Sequence, residues 1–125
     1  MTTLSPYAPS DAGDDSAAAP VLALTWDDGT RTAVYDRMLC GRNPAWEDGA
    51  VVVTLRDETL SLSRTHCEIG RDAGGTWITD RHSSNGTVRV RGGERMPLIA
   101  GLAYSLHVGD RIELGDRSAV VGGAA

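Results

Sequence analysis

Residues 102–114 read Leu102-Ala103-Tyr104-Ser105-Leu106-His107-Val108-Gly109-Asp110-Arg111-Ile112-Glu113-Leu114. Apolar side chains at every second position (Leu102, Tyr104, Leu106 and Val108) predict a strand with one face toward a core, because successive side chains of an extended backbone point to opposite sides. Gly109-Asp110 reads as a turn, after which Ile112 and Leu114 resume the same period. The period of two also dominates outward from this turn, and no stretch shows helical spacing of comparable strength. Turn signals recur at Asp27-Asp28-Gly29, Asn43-Pro44, Asp48-Gly49, Gly74-Gly75, Asn85-Gly86, Gly92-Gly93 and Gly115-Asp116, separating short runs rich in Val, Ile, Leu and Thr. Many short strands divided by tight turns predict an all-β sandwich or barrel.

The expected strands are Val21 to Trp26, Arg31 to Tyr35, Met38 to Cys40, Val51 to Leu55, His66 to Gly70, Thr76 to Thr79, Thr87 to Val90, Arg95 to Pro97, Ala103 to Leu106, Ile112 to Leu114 and Ser118 to Val121. Residues 1–20 hold three Pro, six Ala or Gly and three Asp, with only Leu4 and Tyr7 to bury beyond Met1, and read as a disordered tail or linker. The domain is expected over residues 21–121, with 122–125 as a flexible C-terminus. About a hundred residues in such a fold can bury a self-sufficient core without metal or disulfide. Functional residues then belong in loops at one end of the sandwich.

At 125 residues the chain has the size of one small domain. No apolar run approaches the 18 or so residues of a spanning helix, and the start lacks the basic and apolar regions of a secretory signal. All twelve basic residues are Arg, against seventeen acids. The net charge is -5 and the pI is near 5.0, which argues against nucleic-acid binding through a broad basic field. Three of the acids, Asp11, Asp14 and Asp15, sit in the tail, leaving fourteen acids against twelve arginines and a nearly neutral domain. An anion must therefore be captured locally. Cys40 and Cys67 have apolar neighbours and no metal or redox spacing, so they read as buried free thiols, which fits a reducing cytoplasm.

Three loops hold the polar residues able to do chemistry: Gly41-Arg42 after a strand, Ser63-Arg64-Thr65-His66 before one, and Ser83-Ser84-Asn85-Gly86-Thr87 between two. If they converge, Arg42 supplies the planar fork that grips a phosphate in two places. Ser63, Ser84 and Asn85 then add neutral donors that do not repel one another.

In this arrangement the chain resembles the forkhead-associated (FHA) domain, a phosphothreonine-binding module marked by a Gly-Arg pair, a Ser-x-x-His motif and an Asn-Gly pair. All three are present in family order, and residues 106–115 look like the family's final Gly-Asp hairpin. The resemblance spans Val21 to Val121 and implies a two-sheet β-sandwich of about eleven mostly antiparallel strands. It further implies a phosphothreonine in an extended peptide lying across the loops at one end. Arg42 and Ser63 match positions that contact the phosphate, Arg64 a neighbour that assists, Ser84 one that holds the phosphate or its methyl group, and Asn85 the residue that pairs with the peptide backbone. Gly41, His66 and Gly86 match positions that hold the loops in shape.

The chain departs from the family pattern at Arg81 and His82, where an apolar and a small residue are usual, and at Ser84, where Thr is frequent. Arg81 and His82 are either two extra donors for phosphate or acidic peptide residues, or solvated side chains. Glu47 and Asp48 place acids near the site and are expected to repel acidic peptides. Trp26, Trp46 and Trp77 read as core or semi-buried packing, with a lesser reading in which Trp46 flanks the bound peptide. His82 and His107 read as loop or surface residues, since the histidine spacings fit no metal site.

The expected function is thus a non-enzymatic phosphothreonine-dependent binding module in Ser/Thr kinase signalling, part of a larger protein or a small adaptor. Its expected partner is a phosphothreonine protein, either a Ser/Thr kinase or a kinase substrate, with no cofactor, metal, nucleic acid or membrane insertion, in the cytoplasm or the cytoplasmic part of a larger protein. The competing readings are a phosphate-independent interaction or structural sandwich and, more remotely, a small hydrolase using Ser63, His66 and Asp80.

Overall fold

The computed structural model describes residues 22–123; the expected tail at 1–20, the expected strand start at Val21 and the last two residues lie outside them. Eleven strands follow one another: β1 (Leu22–Trp26), β2 (Arg31–Ala33), β3 (Arg37–Gly41), β4 (Val51–Thr54), β5 (Cys67–Asp72), β6 (Gly75–Asp80), β7 (Thr87–Arg91), β8 (Glu94–Pro97), β9 (Ala103–Ser105), β10 (Arg111–Leu114) and β11 (Arg117–Gly123). They form a six-stranded sheet in the order β2-β1-β11-β10-β7-β8 and a five-stranded sheet in the order β4-β3-β5-β6-β9. Neighbours within the sheets pair antiparallel except β3 and β4, which run parallel. A parallel pair needs a crossover rather than a tight hairpin, and residues 42–50 provide it.

Each sheet turns one face inward. In β1, Leu22, Leu24 and Trp26 are buried; in β10, Ile112 and Leu114; in β5, Cys67 and Ile69. With Met38, Cys40, Ile78, Ala119 and Val121 they make one core cluster between the sheets. Burial of apolar area at roughly 25 cal/mol per Å² is what holds two such layers together.

All eleven expected strands are present. The alternation in residues 102–108 nevertheless overstates its strand. Leu106 is buried and Tyr104 packs against the core, but Leu102 is 52% and Val108 63% exposed, and β9 holds only three residues. Beyond it the chain turns: Gly109 takes φ +96°, and the buried carboxylate of Asp110 accepts the backbone N–H of His107 at 2.7 Å. Asp110 also takes Arg91 Nε and Nη2 in two parallel bonds of 2.8 Å. At the C-terminal end, β11 runs to Gly123, pairing Gly122 with Ala23, so the strand outlasts its expected end by two residues.

Cys40 and Cys67 stand opposite each other across β3 and β5 as buried free thiols. The neighbouring Cys40 thiol and burial push Cys67 well above its ordinary value, which keeps it protonated and unreactive. No helix of the described residues is long and apolar enough to cross a membrane.

Candidate functional site

Strand register brings the three polar loops together. Cys40, Cys67 and Asp80 lie side by side in one row across β3, β5 and β6. Gly41-Arg42 therefore leaves the sheet beside the point where Ser63 to His66 enters it and where the β6–β7 loop departs. Backbone bonds then lace the segments: Arg42 N donates to Ser63 O and Asn43 N to Arg64 O, both at 3.2 Å, and His66 N to Cys40 O at 2.8 Å.

Gly41 is required by this closeness. A Cβ there would lie 2.0 Å from the carbonyl oxygen of Arg64, deep inside van der Waals contact. Gly86 is required for another reason, since it takes φ +81°, where side-chain-bearing residues are strained.

His66 is fully buried between two loops. Its Nδ1 accepts the backbone N–H of Ser63 at 3.1 Å, and its Nε2 lies 2.9 Å from the carbonyl of Gly86. An N–H can only donate and a carbonyl only accept, so the two contacts together select the neutral tautomer with hydrogen on Nε2. The Ser63 hydroxyl oxygen accepts Ser84 N–H at 2.9 Å, joining the same two loops a second time. Asp80 shapes the β6–β7 loop from below, accepting Ser83 Oγ at 2.5 Å, Ser83 N at 3.1 Å and the buried Thr87 Oγ1 at 2.6 Å. The hydrolase reading fails on these bonds. Both nitrogens of His66 are engaged with backbone, neither meets the Ser63 hydroxyl, and Asp80 is bonded to Ser83 and Thr87.

Arg42, Ser63, Arg64, Ser84 and Asn85 line one open groove of about 480 Å³, together with Leu60, Ser61 and Leu62. The last three escaped the sequence reading. Their loop is held by Asp57, whose carboxylate accepts Ser61 N at 2.8 Å and Leu62 N at 3.1 Å, and by Ser61 Oγ, which accepts Asp116 N at 2.8 Å. Asp57 reaches four and five residues ahead, beyond the two-residue span of an Asx turn. The partner at Asp116 had no local signal. Asn85, matched to a peptide-backbone contact, here donates Nδ2 to the Ser61 carbonyl at 2.9 Å and so also tethers this loop.

The groove's charge is distinctive. Eight of the twelve arginines form ion pairs with Asp or Glu. Among the described residues Arg31, Arg42, Arg64 and Arg89 have no acidic partner, and two of these four line the groove. Two other surface hollows have the opposite character. One is lined by Asp27, Asp28, Glu58 and Asp116 with two arginines, the other by Glu68, Asp72, Trp77 and Tyr104 without a cation.

Three expectations around the groove are corrected. Arg81 is neither a spare phosphate donor nor a solvated side chain: its guanidinium bonds Glu47 at 2.7 Å and Glu68 at 2.9 Å, and Arg37 bonds the same two acids at 2.5 and 2.7 Å. Glu47 is correspondingly neutralised as a repulsive acid, with Arg81 and then Arg37 holding its carboxyl below the usual range. Trp46 is not packed but 71% exposed, beside Ala45, whose N–H donates to Thr65 Oγ1 at 3.1 Å. Trp26 is buried and Trp77 half-buried, while His82 and His107 are exposed. Among the described residues no group of three His, Cys, Asp or Glu could hold a metal ion.

Comparison with known proteins bears on the family and the fold. The chain is similar to a domain solved in a structural and functional analysis of phosphothreonine-dependent FHA domain interactions, with 25% identity and a TM-score of 0.63 over 84% of this chain and 98% of that one. It is similar to the FhaA FHA domain complexed with the intracellular domain of Rv3910, with 26% identity and a TM-score of 0.60 over 80% and 98%. It shares its fold with the FHA domain of a hypothetical protein of Arabidopsis thaliana, at 24% identity and a TM-score of 0.67 over 93% and 96%. No curated protein matches the chain. The family model for the FHA domain matches residues 38–115, from the strand that presents Gly41-Arg42 to the turn that clamps Ser61, and the chain belongs to the FHA domain family.

Proposed function

We propose that this domain is a non-catalytic reader of phosphothreonine, recruiting a protein phosphorylated by a Ser/Thr kinase or being recruited to one. The observation that carries this reading is the groove that gathers the uncommitted Arg42 and Arg64 with the side chains of Ser63, Ser84 and Asn85. Phosphorylation adds about -1.5 to -2 charges and three acceptor oxygens to a neutral threonine. Arg42 meets two of those oxygens with its fork, and Arg64 adds a second positive charge. Ser63 accepts Ser84 N–H through its hydroxyl oxygen, which leaves its own O–H to donate to the phosphate. Asn85 keeps its carbonyl oxygen and second N–H for the peptide backbone.

One relative supports the ligand class through its phosphothreonine-dependent interactions, and another, complexed with an intracellular domain, supports a protein as the partner. The two buried free cysteines fit a reducing compartment, and we place the domain in the cytoplasm or the cytoplasmic part of a larger protein.

The test is fluorescence polarisation with degenerate phosphothreonine, phosphoserine and unphosphorylated peptide pools. Saturable binding of the phosphothreonine pool alone supports the reader. Equal binding of the unphosphorylated pool moves the function to a phosphate-independent surface.

A further inference from the structure

Leu60 is 80% exposed and is held at φ +56°. Non-glycine residues rarely adopt this left-handed region, and only one other described non-glycine residue does so, His82 at φ +57°. The two differ in place. Leu60 lines the groove with Arg42, Ser63, Ser84 and Asn85, and His82 does not.

The loop around Leu60 is anchored on both sides. Leu60 N donates to Asp57 O at 3.2 Å, and the Asp57 carboxylate takes the next two backbone N–H groups. Ser61 is buried and clamped: its Oγ accepts Asp116 N, its carbonyl accepts Asn85 Nδ2, and Gly115 sits so close that a Cβ there would lie 2.5 Å from the Ser61 carbonyl oxygen. The strain therefore falls on the one residue of this turn whose apolar side chain stands in water. In the free domain the backbone is strained and the leucine side chain is left without an apolar contact. An apolar contact made only when ligand is present explains both.

We infer that Leu60 is a specificity-determining residue that packs against an apolar side chain flanking the phosphothreonine, so that the domain selects phosphopeptides with an aliphatic or aromatic residue there. This rests on the phosphothreonine reading of the same groove. Arg42 and Ser63 supply the attraction common to every phosphothreonine peptide, and Leu60 adds a term that depends on the neighbouring residue.

The test uses the full chain, a phosphothreonine peptide library with randomised flanks, and two variants that tolerate a left-handed backbone, Leu60→Gly and Leu60→Asn. The wild-type chain should enrich apolar residues at one flanking position and bind that peptide about three- to tenfold more tightly than the same peptide with Gly there, the scale of one partly buried leucine contact. Both variants should lose the enrichment, so that their affinities for the apolar-flanked and Gly-flanked phosphopeptides become equal, and Leu60→Gly should melt at the same temperature or higher. The inference is overturned if wild type shows no apolar preference, if both variants retain it, or if they lose Gly-flanked binding as well. Failure of wild type to bind any phosphopeptide overturns the phosphothreonine reading itself, and this inference with it.

Discussion

The imidazole Nε2 of His66 donates to the carbonyl oxygen of Gly86 at 2.9 Å while Nδ1 accepts the N–H of Ser63 at 3.1 Å, so one buried ring fixes the spacing of the two loops that flank the candidate phosphate site. Removing the ring by His66→Ala leaves a cavity and two backbone groups without partners. A loss of about 2–4 kcal/mol in unfolding free energy is expected. Urea denaturation measures it, and an unchanged midpoint would show that the ring is not the spacer.

Gly41 and Gly86 should fail differently. Gly41→Ala drives a methyl group into the Arg64 carbonyl and must shift Ser63 and Arg64, costing about 1–3 kcal/mol and weakening phosphopeptide binding. Gly86→Ala meets nothing within 4 Å and carries only the left-handed penalty, about 1–2 kcal/mol. Paired urea melts and polarisation titrations separate the two, with the larger affinity loss expected at Gly41.

Arg42 and Arg81 both lie near the loops, but only one is uncommitted. Arg42→Ala should weaken phosphothreonine-peptide binding by about 2–5 kcal/mol, roughly 30-fold to several-thousand-fold. Arg42→Lys should restore part of it, since an ammonium keeps the charge and loses the fork. Arg81→Ala should stay within about twofold of wild type, because its guanidinium is held by Glu47 and Glu68. Isothermal titration of the three variants checks the order.

Asp110 makes stability depend on acid. Burial raises its carboxyl, but the Arg91 guanidinium and the His107 N–H outweigh burial and hold it below the ordinary 3.8. A carboxyl depressed in the folded state contributes stability that is fully present above its unfolded value and is lost as pH falls through the folded one. This contribution should therefore be constant from pH 5 to 8 and decline below about pH 4. Asp110→Asn should lower stability at pH 7 by about 1–3 kcal/mol and flatten the acid limb of a plot of melting temperature against pH.

The strands were legible because most are short runs rich in Val, Ile, Leu or Thr set between turn-forming pairs, a code that acts within a few residues. Gly41-Arg42, Ser63 to His66 and Asn85-Gly86 were legible as motifs, and the register of β3, β5 and β6 brings them to one end. Contacts set by distant partners were not legible. Nothing near Arg81 in sequence indicates that Glu47 holds it, and nothing near Ser61 indicates Asp116. Trp46 misled because an indole is usually buried, and here a loop carries it outward. Leu102 and Val108 misled because alternation continues past the point where the sheet ends. The left-handed backbone of Leu60 follows from a cage of hydrogen bonds that only the folded loops create.

The most direct test of the central claim is an amide proton–nitrogen NMR titration of the 125-residue chain with a phosphothreonine peptide pool and its unphosphorylated counterpart. The amides of Arg42, Ser63, Arg64, Ser84 and Asn85 should shift with the phosphorylated pool, saturably, and stay in place with the other. Binding that leaves these five amides unmoved, or moves them equally with both pools, would contradict the phosphothreonine site.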